Sequence, residues 1–402
     1  MSQDVLCEHA PVGNERLRAA IEESGKTYEE IAARIGVNPK TPGRWVNEGR
    51  APYRRHRRAV NLLLGRDGDD PELWADLEEQ HPRLVAEADL FDTMELGRLA
   101  SASDIGAGTV DTVRDAVELL CRAYPVTPAL DLVARTSKRL AYVVDLLGRR
   151  LTLDQHRDLL VEAGWLAALL GCVHFDVGNR EDAEAARQSA LRLGTEAGHG
   201  ELMGWAHEMS AWFALVESRW EDLIGAARAG QAVAGTSSAM VQLVLQEAKG
   251  LACLGDRRAA RQALDRGIAV LDRLPVPDHA DNHFVFDRTK MSFYAAAIHT
   301  MMSDDDPAEE HAQHVIDCHT RPDGTSNAPM RVADCRMDLA MVRARRGDLD
   351  AAVDQGIAAF GYDRRSELSL LRRGRELAAL LHQRYPNEPV ADPFHEQLAL
   401  VH

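Results

Sequence analysis

The sequence predicts an all-α protein in which a small N-terminal helical unit precedes a long array of helical hairpins. Three observations predict it. Ala, Leu, Arg and Glu are abundant and apolar residues recur at helical spacing, with little of the alternation that marks strands. Short segments with helix-capping residues crowd residues 14–65. Past residue 150, Gly- or Asp-containing turns recur with the ~35–45-residue period of helical repeats.

In chain order, Asn14 is placed to cap a helix carrying Leu17 and Ile21, and Ser24-Gly25 stops it. Thr27 caps a second helix, and Glu30 completes a capping box ahead of Ile31 and Ile35; Gly36 supplies the turn that follows. The stretch Arg66-Asp67-Gly68-Asp69-Asp70-Pro71 has the composition of a solvated linker, which sets a first domain at 1–66. Residues 67–150 are expected to form a helical connecting and dimerisation region, and 151–402 the repeats. The hairpins are 154–198, turning at Gly178-Asn179; 200–235, turning near Arg219; 237–274, at Gly255-Asp256; 284–320, at the Asp304–Pro307 run; and 328–363, at Gly347-Asp348. No such hairpin buries its apolar face alone, so they are expected to stack into an α-solenoid with an extended concave groove, capped by a helix around Glu367 to Gln383.

Composition narrows the function classes. With 402 residues and 45% hydrophobic content the chain has ample material for folded cores. No run approaches the ~18 continuous apolar residues of a membrane span. The N-terminus, with Asp4, Glu8 and His9, lacks a secretory signal, so a cytoplasmic protein without membrane contact is expected. Cys7, Cys121, Cys172, Cys253, Cys318 and Cys335 are scattered and contain no CxxC, which predicts reduced thiols. Of 47 basic residues only five are lysine. The net charge of −16 is unevenly spread: residues 1–66 hold 12 Lys/Arg against 8 Asp/Glu, or +4, leaving −20 for the rest. Within 38–66 the count is 8 against 1, a basic segment joined to an acidic body.

The sharpest local signal is Lys26-Thr27-Tyr28-Glu29-Glu30-Ile31-Ala32-Ala33-Arg34-Ile35-Gly36-Val37-Asn38-Pro39-Lys40-Thr41-Pro42-Gly43-Arg44-Trp45. Ala32 is small where two helices would cross, and Ile31, Ile35, Val37 and Trp45 supply a shared core, a spacing that fits a helix-turn-helix. These residues, with Asn47-Glu48-Gly49-Arg50-Ala51-Pro52 after them, resemble the Cro/repressor-like (Xre-type) family over about one-sixth of the chain. The resemblance implies that the second helix of the motif enters the major groove. That places Asn38, Lys40, Thr41, Gly43 and Arg44 near base edges or phosphates, and Tyr28 where relatives often hold the backbone with Gln. By side-chain chemistry Arg44 suits guanine and Lys40 either guanine or phosphate. Pro42 departs from the family, standing where relatives bury Ile or Val. It strains a helix that begins at Pro39 and is a comfortable first residue if Thr41 caps. Arg50, Arg54, Arg55, Arg57 and Arg58 follow almost without acidic neighbours and are read as a phosphate clamp.

The turns at 255–260 and 347–352 resemble the "G-D-x-x-x-A" corner of tetratricopeptide repeats, and 178–183 is a looser version. The full expectation is therefore an all-α chain with a helix-turn-helix domain followed by a tetratricopeptide-like α-solenoid. In the repeats Trp205 and Trp212, seven apart on one helix face, and Asn282 and His283 are candidate ligand contacts, although core packing explains the tryptophans as well. His311, His314 and Cys318 have helical metal-ligand spacing but lack a second ligand pair, so no metal is expected. No nucleotide-binding, hydrolase or zincin motif is present, and neither catalysis nor a cofactor is expected. The functional expectation is a homodimeric regulator that reads double-stranded DNA and senses a peptide, small molecule or protein. The alternative is an interaction scaffold whose basic domain is vestigial or docks internally.

Overall fold

A computed structural model describes residues 13–50, 52–75, 97–106 and 108–400, with only the backbone at Arg54. Among the described residues every regular element is helical, and the one β pairing is an isolated bridge between Thr320 and Ser326. The chain divides into two compact units, 1–101 and 102–402.

The first unit holds α1 (Glu15–Glu23), α2 (Tyr28–Ile35), α3 (Thr41–Asn47), α4 (Arg54–Leu63) and a 3₁₀ turn (Glu72–Trp74). Asn14 caps α1, its Oδ1 accepting the Leu17 N–H at 2.9 Å. Thr27 and Glu30 form the reciprocal capping box of α2, which ends at Gly36 with φ of +73°. Leu17, Ile31, Trp45, Val46 and Val60 make the core, and Leu73 and Trp74 close it.

Those last two residues correct the boundary at 66. The expected linker is a turn clasped by the buried Asn61, whose Nδ2 donates to the Gly68 carbonyl at 3.2 Å and to that of Asp70 at 2.7 Å. The Asn61 Oδ1 accepts the Trp74 Nε1–H at 2.9 Å, and Asn14 Nδ2 donates to the Leu73 carbonyl at 2.7 Å. Gly, Asp and Pro compose a turn as readily as a linker; the apolar pair just beyond decides which.

In the second unit α5 (Thr109–Ala123) and α6 (Ala129–Leu147) pack on α7 and share a core with the helices that follow, so residues 109–150 extend the array instead of standing apart from it. Five helix pairs come next: α7 (Leu153–Asp176) with α8 (Arg180–Ala197), α9 (Gly200–Val216) with α10 (Trp220–Val233), α11 (Ser238–Cys253) with α12 (Arg257–Leu271), α13 (Arg288–Met301) with α14 (Asp305–His319), and α15 (Pro329–Arg346) with α16 (Leu349–Phe360). The first helix of each pair also packs on the first helix of the next, and α15 packs on α17 (Glu367–Arg384); α18 (Asp392–Ala399) covers α16 and α17. Helix α7 is long and apolar enough to cross a membrane, but 72% of its most apolar window is buried among its neighbours, as in a core helix.

One backbone turn is used in all five pairs. Gly178, Ser218, Gly255, Ser303 and Gly347 take φ of +82°, +59°, +83°, +56° and +90°. Each following N–H bonds to the carbonyl five residues back, as in Asn179 to His174 at 2.8 Å and Asp304 to His299 at 2.9 Å.

The expected open groove is interrupted. Helix α17 covers α15 and α16 and also touches α7 and α9, at the far end of the array. Just ahead of it Arg364 reaches Asp176 Oδ2 at 2.7 Å and the Tyr124 carbonyl at 3.2 Å. From α9, Trp212 Nε1 donates to Ser369 Oγ on α17 at 3.1 Å. The first helices thus enclose a cavity where a long concave surface was expected.

Candidate functional site

The candidate nucleic-acid surface is built by α2, α3 and the start of α4. Asn38 sets the entry to α3: its Oδ1 accepts the Lys40 N–H at 3.0 Å and its carbonyl the Thr41 N–H at 2.8 Å. The helix starts at Thr41, so Pro42 is its second residue, where no intrahelical partner for an N–H is required, and the ring is buried in the unit. The strained alternative for Pro42 is therefore not adopted, and α3 is only seven residues long.

Gly43 faces Tyr28 closely, for a Cβ built there would lie 3.7 Å from the tyrosine ring. Around this contact Asn38, Lys40 and Arg44 are exposed, and Thr41 is half-buried. The arginines that follow do not act alike. Arg57 is turned inward, donating to the Pro52 carbonyl at 3.1 Å with its guanidinium 5.9 Å from the Trp74 ring centre. Arg50 pairs with Glu48 at 3.1 Å and Arg58 with Asp69 at 3.9 Å, all four side chains well exposed, so water and salt screen both pairs. Arg55 Nε is 3.2 Å from His56 Nε2. The side chain of Arg54 lies outside the described residues.

In the second unit, helices α7, α9, α11, α13, α15 and α17 line a cavity of about 170 Å³ that opens to solvent. The four ligand contacts expected from sequence fare differently. Trp212 and His283 line the cavity. Trp205 is fully buried core instead, because its face of α9 meets Phe284 with ring centres 5.4 Å apart. Asn282 is used at both ends, Nδ2 donating to Glu118 Oε2 at 2.7 Å and Oδ1 accepting the Phe284 N–H at 2.8 Å, which makes it a brace of its own loop. His283 packs against Tyr124 with ring centres 3.9 Å apart and planes inclined at 36°, and burial holds its imidazole well below the usual histidine range.

Most of the cavity's polar lining had not been singled out from sequence. Glu208 on α9 accepts from Gln246 Nε2 at 2.7 Å, and burial raises its carboxyl. Lys249 on α11 lies 4.0 Å from the ring centre of Tyr294, and burial lowers its ammonium to about 8. Lys290 donates to the carbonyls of His283 and Val285, both at 2.5 Å, and burial with Arg331 nearby lowers it to about 7. Burial raises Asp334 on α15 to about 6, against the pull of Arg373. Arg373 itself is bound to the buried Asp338. A signal was present: Gln242, Gln246 and Lys249 fall at i, i+4 and i+7 on one stripe of a largely apolar helix, and Lys249 and Lys290 are two of only five lysines.

Elsewhere, Cys318 Sγ is 3.6 Å from His314 Nε2, and no group of three metal-ligating side chains gathers among the described residues. No protein-family model matches the chain, and no curated protein is similar to it.

Proposed function

We propose that the protein is a cytoplasmic transcriptional regulator in which an Xre-type helix-turn-helix unit reads double-stranded DNA, while a tetratricopeptide-like helical array dimerises and holds an effector. The observation that carries this reading is the joint between α2 and α3. A capping box starts the first helix, Gly36 turns the chain in a left-handed conformation, and the short second helix presents Lys40 and Arg44 to solvent. Arg55 and Arg58 on α4 add exposed cations in a segment nearly free of acids, a pattern suited to phosphates. Two such units on one duplex would read half-sites about one helical turn apart. For pairing we favour α6, which leaves Leu130 76% and Val144 58% exposed.

The test is fluorescence anisotropy of the full chain on fragments of its own upstream region at about 50 and 200 mM salt. Specific binding is expected, with Arg44→Ala costing about 1–3 kcal/mol and blurring sequence preference. Arg55→Ala with Arg58→Ala should weaken all sequences alike and flatten the salt dependence. Binding absent from every fragment would put the scaffold reading first, and a monomer by light scattering that stays monomeric on DNA would remove the dimer.

A further inference from the structure

The cavity of the second unit contains a buried cation on which Asp334, Glu208 and Asp338 act without direct contact. The Lys249 side chain is only 6% exposed, yet its ammonium forms no hydrogen bond or ion pair among the described residues and rests against the faces of Tyr294 and Phe293, 4.0 and 5.3 Å from their centres. A buried ammonium with idle donors is costly unless something pairs with it. One and two turns back on the same stripe of α11, Gln246 and Gln242 are 2% and 7% exposed, and the Oε1 of each lacks a donor. The Gln246 amide is oriented by its Nε2, which donates to the Glu208 carboxyl at 2.7 Å and leaves Oε1 facing the cavity side of α11 without a donor. Of the other cavity cations, Lys290 is held by two carbonyls, Arg373 by Asp338 and Glu376, and Arg372 by Glu376, while Arg331 has a hydrogen bond to Thr289 Oγ1 at 3.5 Å and no ion pair among the described residues.

We propose that this cavity binds a compact organic carboxylate, with a ring-sized apolar body and at least one N–H or O–H donor, its anionic end on Lys249 and its donor on the amide oxygens of α11. The apolar body has a wall to meet in Trp212, Phe293 and Met301. Asp334, which also faces the cavity, adds a second acceptor and disfavours a ligand without donors. The return of α17 onto α7 and α9 argues for a compact molecule over an extended chain, since it closes the surface along which a strand would lie. The inference rests on the effector half of the proposed function, but it concerns binding alone and is measured without DNA.

The experiment uses three molecules that share a benzamide body and N–H donor and differ only at the end: hippurate, hippuramide and N-(2-aminoethyl)benzamide. Each is titrated into the full-length protein with Trp fluorescence as readout, Trp212 being on the wall, and with thermal shift in parallel. Hippurate should bind at least about tenfold tighter than hippuramide, with the amine weakest, and Lys249→Met, which keeps the length of the side chain without its charge, should erase the preference. If Lys249→Met does not fold, the three-way comparison on the unaltered protein still decides. Equal binding of acid and amide, preference for the amine, no binding of any of the three, or an undiminished preference in Lys249→Met overturns the proposal. Carboxylate binding in a protein that ignores DNA would sink the regulator and leave this site standing; DNA binding without carboxylate binding would do the reverse.

Discussion

Glu162 on α7 is 5% exposed, and its Oε1 is 3.3 Å from the Arg114 Nε, yet the pair does not keep it ionised. Burial outweighs the guanidinium, Asp158 and Glu118 add like charge, and the carboxyl is raised from its ordinary 4.5 to about 7. The folded protein therefore keeps a proton there between pH 4.5 and 7 that the unfolded chain has released, so each rise in pH across that window favours unfolding. The Glu162 contribution to stability should fall from pH 4.5 to 7, and Glu162→Gln should remove that part of the slope while matching or exceeding the parent above pH 7. Melting temperature against pH checks it; a slope unchanged by the substitution would mean that the carboxyl is ionised throughout. The same competition between burial and pairing explains why the cavity residues were hard to read. Trp212 was legible as an aromatic on a helix face. The spacing of Gln242, Gln246 and Lys249 marks a polar stripe on one helix, but what the stripe faces, Asp334 included, follows from three helices meeting.

At the scale of elements the sequence was most legible where a local rule suffices. The capping box of Thr27 and Glu30 and the turns at Gly178, Gly255 and Gly347 follow from residues a few positions apart. The turns at Ser218 and Ser303 were placed only approximately, near Arg219 and within Asp304–Pro307, because serine does not announce a left-handed position as glycine does. Their backbones match the other three, which makes them improvable. An L-residue in this conformation costs roughly 1–2 kcal/mol, partly offset for glycine by its greater freedom when unfolded. Ser303 is exposed and no hydrogen bond to its hydroxyl is among those described, so Ser303→Gly should stabilise by about 0.5–1 kcal/mol, read as a higher midpoint in urea. A lower midpoint would mean that the serine contributes something the turn geometry does not reveal. The end of the first unit was illegible for a different reason: 66–71 has turn composition, and only the burial of Leu73 and Trp74 shows that the chain has not yet left the core.

For the second unit as a whole, the consequence of closure is cooperative. An open array of repeats is held together by neighbours alone and is free to fray from its ends. Here the end meets the beginning: Arg364, 5% exposed, binds the fully buried Asp176 across 188 residues of sequence, and Tyr124 donates to the same carboxylate oxygen at 2.6 Å. That contact was invisible in the sequence because nothing local to either residue refers to the other. Arg364→Leu would leave the Asp176 carboxyl buried without its cation, with Tyr124 still donating to it, and losing one partner of a buried pair costs about 3 kcal/mol or more. The expected result is a lower melting temperature together with a change in pattern. Hydrogen exchange should accelerate in α15–α17 while α7 and α8 keep their protection, because the terminal pair is again held from one side only. Faster exchange spread evenly over α5–α17 would mean that the unit remains one cooperative body without this contact, and that closure is a consequence of the array's curvature, with no part in holding it shut.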